Sequence, residues 1–267
     1  MLASLILGRA LLGLCFVLDG TWWLYTWDVR AAYFDRIGVP AFMIVPVALV
    51  YISCGGLLFV GRAVRPAVLP LMAVAGLIAM LLHTDLGPGG IGEYPLDQHA
   101  QINVEALLVQ ITLVGVLMLA FGAPGPRLPI DLRAIVLGRA LLGGYFVARA
   151  LWQAHYYDAR LDAGAALLPL VIAVQIVFGL MLAAGRSVRG DVVPLALVLV
   201  FSTVAVHGNL SADAAHPPNF QVHRWFVAGS VLAGLLLLFG LGPAATPPPP
   251  TPEIESDPPS VPPVAAD

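Results

Sequence analysis

Ionisable side chains are scarce inside the apolar runs of this sequence, and each is a candidate for chemistry because charge is expensive to hold in lipid. Asp19 sits within the run that opens on Leu7-Gly8-Arg9, ten residues past Arg9 and so about 15 Å further along a helix. Arg149 holds the matching place in a second copy of that run. An acid and a base at one depth on two helices offset each other's desolvation if they pair. Two readings of an Asp19–Arg149 pair stay open: the lining of a polar cavity between two bundles, or an ion lock that holds the bundles together.

Histidine gives a second set. His83, His99, His155, His207, His216 and His223 all fall at or beyond the same ends of apolar segments. His83 and His207 occupy equivalent places. When the Phe-Gly pairs at 121–122 and 239–240 are aligned, Glu105 corresponds to His223 and Asn103 to Gln221. Histidine and a carboxylate of tuned pKa serve as base and acid near neutral pH. His83, His207, Glu105 and His223 are therefore the candidate catalytic residues, with Asp19 and Arg149 lining the cavity. Together they have the ingredients for proton transfer to or from a quinone headgroup, and quinone is the cofactor they would serve. The same side chains also suit plain capping at the headgroup level, where Trp22, Trp23, Tyr25, Trp27, Trp152, Tyr156 and Trp225 cluster too.

Other chemistries lack their residues. No HxxH, HxxxH or HExxH spacing occurs, so no metal site is expected. Cys15 and Cys54 form no CxxC pair and read as small buried hydrophobes, although a disulfide between them is not decided by sequence. There is no P-loop, no GxGxxG after a strand and no nucleophile elbow around a serine.

The elements that would position these groups follow from composition. Of 267 residues, 59% are hydrophobic and 11% charged, with a mean hydropathy of +0.89. A soluble domain carries about 25% charged residues, so the chain cannot coat a water-facing globule. All 13 basic residues are arginine and the net charge is −3, which excludes a nucleic-acid binder. Eight apolar segments are expected as membrane helices, at 5–27, 41–61, 67–83, 102–122, 133–155, 164–184, 192–208 and 224–242. No Lys or Arg precedes Arg9, so the first is read as a retained span and not a signal peptide.

The segments form two sets of four. Leu7 to Gly13 recurs unchanged as Leu137 to Gly143, and Phe16, Trp22 and Asp28 recur in the same register as Phe146, Trp152 and Asp158. In a second register Gly55, Gly61, Arg62, Arg65 and Pro70 match Gly179, Gly185, Arg186, Arg189 and Pro194. The fold class expected is all-α, a polytopic membrane protein of eight transmembrane helices in two repeated four-helix bundles. Residues 1–125 make the first, 126–243 the second, and 244–267 a Pro-rich acidic tail. That tail reads as a docking strand for a partner or, more simply from composition, as a spacer. Arginines in the short loops at 62–65, 127–133 and 186–189 orient the chain with both termini in the cytoplasm.

Several short motifs carry a family likeness. They are Leu-Gly-Arg at 7–9 and 137–139, the Gly and Phe that follow at 13 and 16 and at 143 and 146, and Gly55-Gly56 leading to Gly61-Arg62, echoed from Gly179 to Arg186. With them goes the third segment of each half closing on His83 or His207. In these, each half resembles the DoxX family of small bacterial membrane proteins, over roughly residues 1–125 and 131–243. The resemblance implies the bacterial plasma (inner) membrane and association with a membrane redox system, as in family subunits named for terminal quinol oxidation and thiosulfate:quinone oxidoreduction. A membrane redox enzyme is the partner it implies. The alternative is a non-catalytic scaffold or assembly subunit that uses the tail. A transporter ranks last, because the duplication is parallel and lacks broken midplane helices.

Overall fold

The structure is a computed structural model that describes residues 2–36, 38–82, 96–123, 129–155, 167–186, 188–207 and 218–242. Among them are nine α-helices, one 3-10 turn and no strand. The helices are α1 (Leu2–Tyr25), α2 (Trp27–Arg36), α3 (Ile44–Val60) after the 3-10 turn Ala41–Met43, α4 (Val64–Leu82), α5 (Leu96–Gly122), α6 (Leu132–His155), α7 (Leu168–Ala184), α8 (Val188–His207) and α9 (Pro218–Leu241). Each of the eight apolar segments is thus helical over nearly its whole length. Leu2–Tyr25, Ala41–Val60, Leu132–His155 and Val222–Leu241 are long and apolar enough to cross a membrane, while Val64–Met80, Ala106–Gly122 and Leu168–Ala184 are shorter apolar helices. Large apolar side chains stay exposed along their outer faces, among them Met80 at 71% and Leu197 at 66%. A helix apolar on all sides is one whose outer face meets lipid or more protein.

The short helix α2 lies between the apolar segments 5–27 and 41–61 and is an element that the segment pattern did not anticipate. Thr26 interrupts the first run: its hydroxyl donates to the Trp22 carbonyl at 2.8 Å, as its own N–H does at 2.9 Å. The chain then resumes as a polar helix whose Phe34 is buried. Gly38, at φ 71°, closes it, and the Val39 N–H donates back to the Phe34 carbonyl at 2.9 Å.

The eight long helices alternate in direction. Each packs on the next, from α1 to α3, α4, α5 and on to α9, and α9 returns to α1; α5 also touches α9. The most extensive contacts of α9 and of α5 cross the midpoint of the chain. The last helix of each half lies against the first helix of the other, α9 on α1 and α5 on α6. A single hydrophobic core runs through both halves. Glycines allow the close crossings. A Cβ on Gly55 would stand 2.9 Å from the Gly13 carbonyl oxygen between α1 and α3, and one on Gly179 would stand 2.9 Å from the Gly143 carbonyl oxygen between α6 and α7.

Four arginines bind the ends of neighbouring helices at one face of the bundle. Gly61 and Gly185 end α3 and α7 in the left-handed conformation, at φ 72° and 77°, a region glycine enters without a Cβ penalty. The guanidinium of Arg9 lies against Gly61 and that of Arg139 against Gly185. Arg65 Nε donates to the Phe121 carbonyl at 3.3 Å near the end of α5. Arg189 Nε donates to the Phe239 carbonyl at 3.3 Å near the end of α9. All four cations thus sit at the negative dipole end of a helix, and Arg65 and Arg189 also take carbonyls there.

Candidate functional site

Asp19 is a buried acid on α1, and α9 supplies its partner. His223 Nδ1 stands 3.1 Å from Asp19 Oδ1, with the two side chains 29% and 13% exposed. The imidazole therefore reaches the surface of the α1–α9 seam while the carboxylate stays inside. One turn earlier on α1, the Cys15 side chain lies beside Ser230 of α9, whose Oγ donates to the Phe226 carbonyl at 3.0 Å. A polar strip thus runs along an otherwise apolar interface.

The other wall is aromatic and is closed by α2. Residues 19, 22 and 23 share one face of α1 by helical spacing, and Thr26 follows just past its end. Gly20 lets α3 approach, and Tyr51 on that helix is buried, its ring edge-on to Phe16 at 5.2 Å and to Trp23 at 6.0 Å. Arg30 reaches back from α2 so that its Cζ lies 4.1 Å from the centre of the Trp23 ring, and its Nε donates to Thr26 Oγ1 at 3.2 Å. Burial pulls the Arg30 guanidinium below its ordinary range, and the negative charge of Asp19 acts in the opposite direction. The indole N–H groups of Trp22 and Trp23 are buried without an acceptor among the described residues.

This arrangement has a defined acid–base sense. A neutral imidazole whose Nδ1–H donates to a carboxylate carries its lone pair on Nε2. Such a ring is a general base held in one tautomer, and the carboxylate steadies the imidazolium that forms when Nε2 takes a proton.

Of the residues singled out from sequence, Asp19 and His223 meet. Arg149 lies on α6, where its Nη1 donates to Tyr145 Oη at 3.0 Å. Arg149, Tyr145, Thr203 and Arg224 line a cleft of roughly 20 Å³ between α6, α8 and α9, room for one water. His83 lies outside the described residues. Glu105 and His207 belong to α5 and α8, and their side chains lie outside what is described. Cys15 and Cys54 are free thiols. No group of three metal-binding side chains occurs among the described residues.

Arg30 and Tyr51 were not singled out. The signal for Arg30 is the spacing of Trp27, Ala31 and Phe34, which gives a short helix one apolar face beside a cation. Tyr51 has no such signal, because a lone Tyr in an apolar run looks like any core aromatic.

No protein-family model, curated protein or solved structure matches this chain.

Proposed function

We propose that this chain is a tandemly duplicated, eight-span protein of DoxX type in a bacterial inner membrane, with both termini cytoplasmic. It binds a quinol near the outer leaflet and removes its hydroxyl proton with His223. The observation that carries this reading is the 3.1 Å contact of His223 Nδ1 with Asp19 Oδ1 at the edge of the α1–α9 seam. A quinol hydroxyl against Nε2 gives its proton to the ring, and Asp19 holds the imidazolium. The partly exposed ring then releases that proton to water and is ready for the second. The electron pair passes to the redox centre of an associated membrane enzyme, and the quinone is left behind.

Three further features support it. Trp22 and Trp23 supply N–H groups in want of an acceptor, which a quinone carbonyl would provide. The equivalent contacts of Arg9 and Arg139, and of Arg65 and Arg189, fit a duplicated unit. The shortest apolar helices have 17 residues, about 25 Å of rise, enough to cross a bilayer core that thins locally.

Quinone extracted from protein purified in mild detergent and identified by mass spectrometry tests the reading. Wild-type protein is expected to hold quinone, and Asp19→Asn and His223→Ala to lose most of it while keeping their helicity. Wild-type protein free of quinone, or variants as loaded as wild type, would overturn it.

A further inference from the structure

The face where the arginines meet the helix ends carries more positive charge than the fold uses. Contacts between α3 and α1, α4 and α5, α7 and α6, and α8 and α9 place Arg62, Arg65, Arg133, Arg186 and Arg189 at this same end. Arg62, Arg133, Arg186 and Arg189 are exposed, and none of the five meets a carboxylate among the described residues. Arg65 and Arg189 spend donors on main-chain oxygens, Arg65 on Pro129 O at 2.6 Å and Arg189 Nε on Phe239 O at 3.3 Å, and Arg189 remains exposed. Two described acids share this end, and neither is available. Asp131 Oδ1 caps α6, accepting from the Arg133 and Ala134 N–H groups at 3.0 and 3.2 Å. Asp191 is 1% exposed.

Immediately beside this rim the surface turns apolar. Phe59 and Val60 precede Arg62, Leu132 precedes Arg133, and Val193 lies one turn past Arg189, all of them exposed. A ligand that suits both parts has a phosphate for the guanidinium groups and a hydrocarbon chain for the side chains behind them. Guanidinium binds phosphate oxygens in paired hydrogen bonds, and basic side chains near a bilayer surface favour anionic over zwitterionic lipid.

We propose that this rim is a binding surface for anionic phospholipid, with headgroup phosphates on Arg62, Arg133, Arg186 and Arg189 and acyl chains along the apolar strip next to them. The proposal is independent of the quinol reading, since the rim lies at the opposite end of the helices from Asp19 and His223.

The test is native mass spectrometry of the full chain from micelles holding equal amounts of phosphatidylglycerol and phosphatidylcholine. Wild-type protein is expected to retain phosphatidylglycerol in preference. The variant R62Q/R133Q/R186Q/R189Q is expected to lose that preference by roughly tenfold or more. If that variant does not fold, R62Q/R186Q decides, because neither side chain makes a described hydrogen bond; it is expected to lose part of the preference. Equal retention of the two lipids by wild type, or an undiminished preference in the variant that folds, would overturn the proposal. Inorganic phosphate at millimolar concentration is expected to leave phosphatidylglycerol bound; its displacement would mean that the rim takes a free anion and not a lipid.

Discussion

Asp19 and His223 stand 3.1 Å apart across 204 residues of sequence, one on the first long helix and the other on the last. The contact couples the first and last long helices through the widest interface α9 makes, and it puts the carboxyl group of α1 against a base instead of against hydrocarbon. Hydrogen bonds between helices in a bilayer are worth about 0.6 kcal/mol on average and up to about 1.7, so the pair adds modestly to stability. Its larger effect is to fix the tautomer and orientation of an imidazole at the seam.

Asp19→Asn keeps an oxygen that accepts from His223 Nδ1, whereas Asp19→Ala leaves the ring without its acceptor. Thermal unfolding in detergent is expected to show Asp19→Ala less stable by about 1 kcal/mol and Asp19→Asn nearly unchanged. If alanine costs nothing relative to asparagine, the contact does not hold the seam.

The helices were legible in the sequence because an apolar run in lipid has few alternatives: its backbone must bond to itself. Their ends were legible as well, since Gly61 and Gly185 before arginine mark where α3 and α7 stop. The partner of Asp19 was less so. Sequence equivalence offered Arg149, on the reasoning that matching residues of two copies face each other. In the structure the last helix of each half crosses to the other half, so that α9 covers α1 and α5 covers α6. The two halves present similar glycine seams, at Gly8 beside Ala233 and at Gly138 beside Gly115. Which last helix fills which seam depends on the connections between halves, and no local motif encodes that. The short α2 escaped for another reason: its few apolar residues are diluted by Asp28, Arg30, Asp35 and Arg36, so hydropathy alone reads it as loop.

Close crossing at the small residues gives a controlled pair of substitutions. A Cβ on Gly13 would lie inside the Phe59 backbone and 2.5 Å from the Gly55 carbonyl oxygen, while one on Gly56 meets nothing within 4 Å. Gly13→Ala must therefore push α1 and α3 apart, and overpacking of this kind costs about 1–3 kcal/mol. Gly56→Ala is expected to be neutral or slightly stabilising. Melting temperatures measured side by side check this, and equal values for the two variants would mean that the α1–α3 crossing is looser than described.

Gly61 bears two demands at once, a left-handed backbone and room for the Arg9 guanidinium. Gly61→Ala is expected to cost about 1–2 kcal/mol for the conformation alone, with a further loss where the new methyl displaces Arg9. A double-mutant cycle with Arg9→Gln separates the parts: the displacement term should vanish once the guanidinium is gone, and the conformational term should stay. Strict additivity would show that Arg9 does not rest on the end of α3.

Arg30 is the one cation described on α2 that reaches the Asp19 site, and its place depends on the Trp23 ring beneath it at 4.1 Å. A cation over an indole contributes about 0.5–2 kcal/mol, more as water is excluded. Arg30→Gln removes that attraction and also the charge that balances Asp19, so α2 should loosen and the carboxylate should lose its counter-charge together. Arg30→Lys restores the charge without the planar group that stacks. Trp fluorescence is expected to shift to longer wavelength in both variants as Trp23 gains access to water, more in glutamine than in lysine. Quinone content should fall in glutamine and be largely kept in lysine if charge is what the site requires. A glutamine variant with wild-type fluorescence and wild-type quinone would remove Arg30 from the site and leave Asp19 and His223 to act without it.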